Sequence, residues 1–266
     1  MRHPLVLFVV AALAGCSTSD PSAVVDAGKD VAKRDAFVLP PEDAGPVYRL
    51  TGKVIDTAGK PYDGAAIQIC GKICTVAFAD STGAWLAQGI TPEATHLRVE
   101  GKPNDGRNWS PAVFHIALTA DTDFLTPTVV PETPPPVALT AGEKTMTAGE
   151  VAITFDDAKL TGSTHVFSSV RVLKKDWPTY DASGKTIVAI WALLPFGAKS
   201  PTPMPVTLDV STAGLTGGEK VTLFAVDPDS GLLTEPTAAT VSNDGKQASS
   251  DSGTGLLRLT WIVLAK

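Results

Sequence analysis

The chain of 266 residues holds only three cysteines and four histidines. It has no cluster of basic side chains and no apolar run long enough to cross a membrane as a helix. Each shortage excludes something. Lys and Arg number 22 against 28 acidic residues, a formal net charge of −6. Proteins hold nucleic acid with clustered cations that displace counterions, and this chain has no such cluster. The same deficit argues against electrostatic adsorption to anionic lipid. Outside the first residues no long stretch repeats its apolar positions at the helical period, so long amphipathic helices are not expected.

The chemistry motifs are also missing. H-E-x-x-H and G-x-S-x-G do not occur. A triad assembled from distant segments would leave no such motif, so hydrolysis stays open as an alternative. Gly184-Lys185-Thr186 ends like a phosphate loop, but Thr179 stands where that loop needs glycine. A strand pattern follows it instead of a helix, so it reads as a turn. His96, His115 and His165 show no metal spacing and read as strand-surface residues. Asp227 and Asp229 begin like a calcium loop, yet Gly231 replaces the third ligand. They read as turn acids, as do Asp121 and Asp123. The expectation is no catalytic residue, no metal and no cofactor.

What is present points to strands. Pro (21) and Gly (23) are spread along the chain, and valine and threonine are frequent, the pattern of short strands joined by turns. The fold class expected is all-β, with two β-sandwich domains in tandem behind a leader and a disordered tether.

The leader carries the first cysteine. Arg2 and His3 precede an apolar run from Leu5 to Gly15, about eleven residues. A spanning helix needs roughly 20, whereas a secretory h-region needs 7–15. Leu13-Ala14-Gly15-Cys16 resembles the lipobox of bacterial lipoproteins. That resemblance implies cleavage before Cys16, diacylglycerol on its thiol and acylation of the new amino group. Two or more chains give lasting membrane attachment. Ser17 in place of Asp leans toward the outer membrane, so the expected location is the cell envelope, lipid-anchored. Loss of residues 1–15 removes Arg2 and no acid, leaving 21 basic against 28 acidic residues, about −7. Residues 16–46 then form a tether with spaced acids and Pro40-Pro41, too polar to offset the entropy of ordering.

Folded-type sequence starts at Val47. Strands are expected over 48–56, 64–69, 75–79, around Trp85, and over 95–100, 112–118 and 125–130. This stretch resembles the carboxypeptidase regulatory-like domain, a transthyretin-like β-sandwich. The pattern is carried by Gly52, Val54, Asp56, Gly59, Pro61, Gly64, Ala65 and Ile67, then Asp80, Gly83 and Trp85. The resemblance covers residues 47–130 and implies an accessory domain with no catalytic residues of its own.

Cys70 and Cys74 remain once Cys16 is assigned. In an exported chain an even pair reads first as a disulfide. A zinc site with the histidines is the weaker alternative. Ile67, Ile69, Val76 and Phe78 are expected to face the core together. That requires Ile69 opposite Cys74 across a four-residue loop, with Cys70 diagonal to Cys74.

Residues 131–136 read as a stiff Pro-rich linker, and 137–266 as a second sandwich. Its strands are expected over 150–155, 166–173, 187–194, 204–210, 220–226 and 256–264, with the 187–194 run buried on both faces. Asn243-Asp244-Gly245 and Asp227–Gly231 read as turns. The closing half is faintly similar to ZU5-like sandwich modules. Trp191 and Trp261 lie in apolar strands and read as core. Trp109 and Trp177 lie in loop-like sequence, as either domain-packing or ligand-binding residues. The function expected is a non-catalytic envelope lipoprotein that binds or scaffolds. A carbohydrate-binding surface module accessory to a hydrolase is the alternative. The partners expected are the membrane, through the lipid, and an envelope protein or a glycan.

Overall fold

The computed structural model describes residues 45–102, 104–139, 142–162 and 164–266. The leader, Cys16 and the tether up to Ala44 lie outside the described residues. Residues 45–266 form one unit. It is almost all strand, with two single-turn 3₁₀ segments and no α-helix among the described residues.

Two groups of strands build it. The first is β1 (Tyr48–Ile55), β2 (Ala66–Cys70), β3 (Cys74–Phe78), β4 (Ala84–Ile90), β5 (His96–Glu100), β6 (Ala112–His115), β7 (Thr122–Asp123) and β8 (Thr128–Val129). One sheet has the order β4-β1-β7, with β8 also on β1; the other runs β3-β2-β5-β6. Period-two alternation turns Leu50 and Val54 of β1, Ile67 and Ile69 of β2, and Leu97 and Val99 of β5 into the space between them. Trp85 fills the gap left by Gly52, where a Cβ would stand 2.8 Å from its ring. Turn chemistry holds the ends. The Asp80 carboxylate accepts from the Thr82 and Ala84 amides, and the Gly83 amide donates to the Asp80 carbonyl. At Gly83 φ is +75° and a Cβ would meet the Val54 carbonyl at 2.3 Å, so only glycine fits.

The β2–β3 hairpin corrects the expected register. Cys70 and Cys74 are bonded as a disulfide and lie directly opposite each other, around the three-residue loop Gly71–Ile73. Their Cα atoms are 4.1 Å apart, the close approach of a directly facing pair. Once that pair is fixed, Ile67 faces Ala77 and Ile69 faces Thr75. Val76 and Phe78 therefore point outward, 52% and 67% exposed, not into the core.

The second group is β9 (Val137–Ala138), β10 (Glu143–Ala148), β11 (Val151–Asp156), β12 (Val166–Arg171), β13 (Ile187–Leu194), β14 (Ala198–Met204), β15 (Val206–Asp209), β16 (Lys220–Val226), β17 (Leu233–Val241), β18 (Gln247–Ser250), β19 (Leu256–Leu259) and β20 (Ile262–Ala265). Ten of them form one sheet, in the order β10-β11-β15-β18-β17-β16-β20-β13-β12-β9. It curls until β10 meets β12, where Ser169 Oγ donates to the Ala148 carbonyl at 2.5 Å. The β14–β19 pair packs on the enclosed core through Ala198, Met204, Leu256 and Leu259. The expected strand 256–264 is two strands, β19 and β20, broken at Thr260-Trp261.

The β13 run is buried on both faces, as its sequence implies. Ala189, Trp191 and Leu193 face the enclosed core, while Ile190 and Ala192 face outward. That outer face, with Phe224, Val226, Trp261 and Val263, closes on Ala112 and Val113 of β6. The two strand groups thus share a third apolar core. The Pro-rich segment between them is pinned: the Ser110 amide donates to the Pro131 carbonyl, the Thr133 amide to Asn108, and Ser168 Oγ to Pro134.

Candidate binding site at the junction

The junction is knit by polar groups inside the shared core. Trp261 Nε1 donates to Ser110 Oγ at 3.1 Å, and Ser110 Oγ donates to the Leu193 carbonyl at 3.1 Å. Ser110 is fully buried, so both bonds form away from water. Tyr180 Oη donates to the Val113 carbonyl at 2.8 Å. Burial drives the Tyr180 phenol well above its ordinary pKa, so it stays protonated and keeps donating. The turn Asp227–Gly231 packs on the end of β6, where His115 Nδ1 donates to the Ser230 carbonyl at 3.3 Å.

A groove opens beside this seam. One chamber, of about 290 Å³, is walled by Phe114, His115 and the 124–129 segment on one side and by Asp176–Thr179 on the other. A second, of about 220 Å³, lies between Glu132 and Arg171 and shares Val129 and Asp176 with the first. Trp177 is held by a bond from its Nε1 to the Val172 carbonyl at 2.9 Å. Lys174 Nζ stands over its ring, 6.0 Å from the centroid. Phe114 and Phe124 meet edge to face at 6.0 Å. The groove needs both strand groups, which supply one wall each.

A wider trough of about 690 Å³ runs over β1 and β4, bordered by Phe78, Leu86 and Leu125. Its two carboxylates each accept from a threonine: Thr51 Oγ1 donates to Asp123, and Thr82 Oγ1 to Asp80. Trp85 Nε1 is buried there without a hydrogen-bond partner among the described residues. The trough is an open surface over one sheet, whereas the junction groove is walled on two sides, so the groove is the better candidate.

The two loop tryptophans separate here. Trp177 lines the groove. Trp109 is fastened within the first strand group. Its ring lies 4.6 Å from that of Tyr62, the Arg107 guanidinium covers it at 5.2 Å, and its Nε1 donates to Asp105 at 2.9 Å. Burial of Asp105 opposes its charge, but bonds from Tyr62, the Arg107 amide and Trp109 outweigh it and hold the carboxyl below the usual range. Burial and the bond to Asp105 raise the Tyr62 phenol. Trp191 and Trp261 are buried, as expected.

The remaining candidates fall into place. Gly184-Lys185 forms a turn ahead of β13, capped by Asp181. Asp227 accepts from Arg258 Nη1 at 3.0 Å and caps its own turn. Asp121 accepts from the Arg49 amide. Among the described residues no group of three or more His, Cys, Asp or Glu is placed to hold a metal ion.

The sheet makes one pairing that spacing hid: His96 of β5 faces His115 of β6, and Cys70 flanks His96 on its other side. His96 is therefore buried, not a surface residue. Burial lowers its pKa, Arg98 and His115 add to that, and Asp229 and Asp227 oppose it. A histidine with a depressed folded pKa favours the fold while neutral. Its stabilisation is complete above the unfolded value of about 6.5 and is lost as pH falls below it toward the folded value. The melting temperature is expected to fall between pH 7 and 5, and His96→Gln should flatten that slope. Parallel slopes for wild type and variant would refute the assignment.

A scan against protein families and a search of curated proteins each find no match. Among solved structures the chain is similar to a DUF3823 family protein from Parabacteroides merdae, at 13% identity and a TM-score of 0.24, covering 83% of this chain and 80% of that one. Another is a DUF3823 family protein from Bacteroides ovatus, at 10% identity and a TM-score of 0.24, covering 82% and 98%. A third is BcpA, the major pilin subunit of Bacillus cereus, at 9% identity and a TM-score of 0.25, covering 83% and 95%. Likenesses this low carry no argument about function.

Proposed function

We propose that this chain is a non-catalytic binding module of the cell envelope, held to a membrane by lipid on Cys16, whose working surface is the junction groove. One observation carries the reading. Two strand groups locked by a shared apolar core form a two-walled groove that includes Trp177, a loop residue. Rigid scaffolds that present loop side chains in a cleft are the usual architecture of recognition. The lipobox-like Leu13-Ala14-Gly15-Cys16 supports the anchor, and Ser17 supports the outer membrane. The resemblance of 47–130 to the carboxypeptidase regulatory-like domain supports an accessory role.

The anchor is tested in the producing cell. Cys16→Ala should shift the protein from the membrane pellet to the soluble fraction. Intact mass should show wild type starting at an acylated Cys16. An unmodified residue 16, or a different mature start, would refute the anchor.

A further inference from the structure

We infer that the junction groove binds a neutral oligosaccharide, with one pyranose ring in the chamber beside Trp177 and its hydroxyls on Asp176. This rests on reading the groove as the binding surface.

Asp176 is the informative residue. Its side chain is only 9% exposed, and it forms part of both chambers. Among the described residues no N–H or O–H donates a hydrogen bond to it. Its one partner is the Lys175 ammonium at 3.6 Å, itself 68% exposed. Its acceptor capacity is therefore left to whatever enters the chambers. Thr126, Thr128 and Thr179 also line the groove, and their hydroxyls have no protein partner among the described residues. Beside these acceptors and hydroxyls stand the rings of Phe114, Phe124 and Trp177.

Three ligand chemistries meet that lining differently. An apolar side chain would suit the rings but leave Asp176 without a donor in a dried wall. An ammonium group would suit Asp176, but Lys174 Nζ already stands over the Trp177 ring and repels a second cation. A pyranose answers both demands. Its C–H face lies against an aromatic ring, and its rim hydroxyls each donate and accept, matching a carboxylate and threonines. The second chamber, across Asp176, gives room for the next residue of the glycan.

The test uses the full-length protein extracted in detergent. Cello-, malto- and chito-oligosaccharides are titrated by calorimetry, alongside an oligolysine and a proline-rich peptide. The expected result is binding of at least one neutral oligosaccharide, weakened about tenfold or more by Asp176→Asn, the loss of a hydrogen bond to a charged group. Trp177→Ala should weaken it as well. Asp176→Asn should melt at the wild-type temperature, because no protein donor among the described residues loses its acceptor and the pair with exposed Lys175 is worth little; a clear drop in melting temperature would mark a merely structural carboxylate and overturn the inference. Absence of saccharide binding, or binding untouched by both variants, overturns the inference. A photo-crosslinking residue at Thr128, used in intact cells, separates the two levels. Capture of a protein without saccharide binding overturns the glycan but leaves the groove as the binding surface. Neither capture nor saccharide binding overturns both.

Discussion

Trp261→Ala is expected to destabilise the protein by about 3–5 kcal/mol, the range for removing a large buried aromatic. Trp261 is 1% exposed and sits in the break between β19 and β20, packed into the core that the two strand groups share. Truncation removes its dispersion contacts and leaves a cavity that close-packed strands on both sides cannot collapse to fill. The hydrogen-bond loss is smaller, because Ser110 Oγ keeps its bond to the Leu193 carbonyl. Ser110→Ala isolates that part: it leaves the indole N–H buried without an acceptor, at about 1–3 kcal/mol. Urea unfolding should show a lower midpoint with an unchanged slope for both variants. A loss under about 1 kcal/mol for Trp261→Ala would mean the shared core is not packed as described.

The same residue shows how far sequence reading reaches. Trp261 and the run Ile187–Leu194 read as core because they are continuously apolar, and continuous runs belong to strands covered on both faces. What covers the second face was not legible. Ala112 and Val113 of β6 do so, and they are more than seventy positions away in the chain. Turn chemistry read well, since Asp80–Gly83, Asp227–Gly231 and Asn243–Gly245 each fix their geometry locally.

Strands without large alternating apolar residues were missed: β10 (EKTMTA), β17 (LTEPTAATV) and β18 (QASS) are polar or small. So was β14 (AKSPTPM), whose two prolines argue against a strand and whose pairing is irregular between Lys199 and Met204. The β3 register departs from the apolar pattern of Val76 and Phe78 because the directly facing disulfide fixes it and turns both side chains outward. At the site, Trp177 was legible as a loop aromatic. Asp176 was not, because its meaning comes from Phe114 and Thr128 across the groove, and no local spacing reports that.

Gly231 is the position at which an added side chain is expected to undo the junction. Its φ is +68°, the left-handed region that glycine enters without penalty. Its amide donates to the Asp227 carbonyl at 2.8 Å, closing the turn. A Cβ there would stand 2.2 Å from the Phe114 carbonyl carbon and 2.3 Å from the His115 nitrogen. Both are backbone atoms of β6, so no side chain can swing aside to make room. Either the turn lifts off β6 or β6 moves, and each movement opens the groove wall that Phe114 and His115 provide. Backbone strain alone is not the cause, and Gly253 tests that. It has φ +76° and nothing within 4 Å of an added Cβ. Gly253→Ala should therefore cost only the strain, of order 1–2 kcal/mol. Gly231→Ala should cost clearly more, and it should also speed amide exchange in β6. With Gly231→Val the single cooperative melt expected of one unit should split in two, as the strand groups lose their shared core and unfold separately. One unsplit transition at the wild-type midpoint for Gly231→Val would show that the two groups do not depend on this contact.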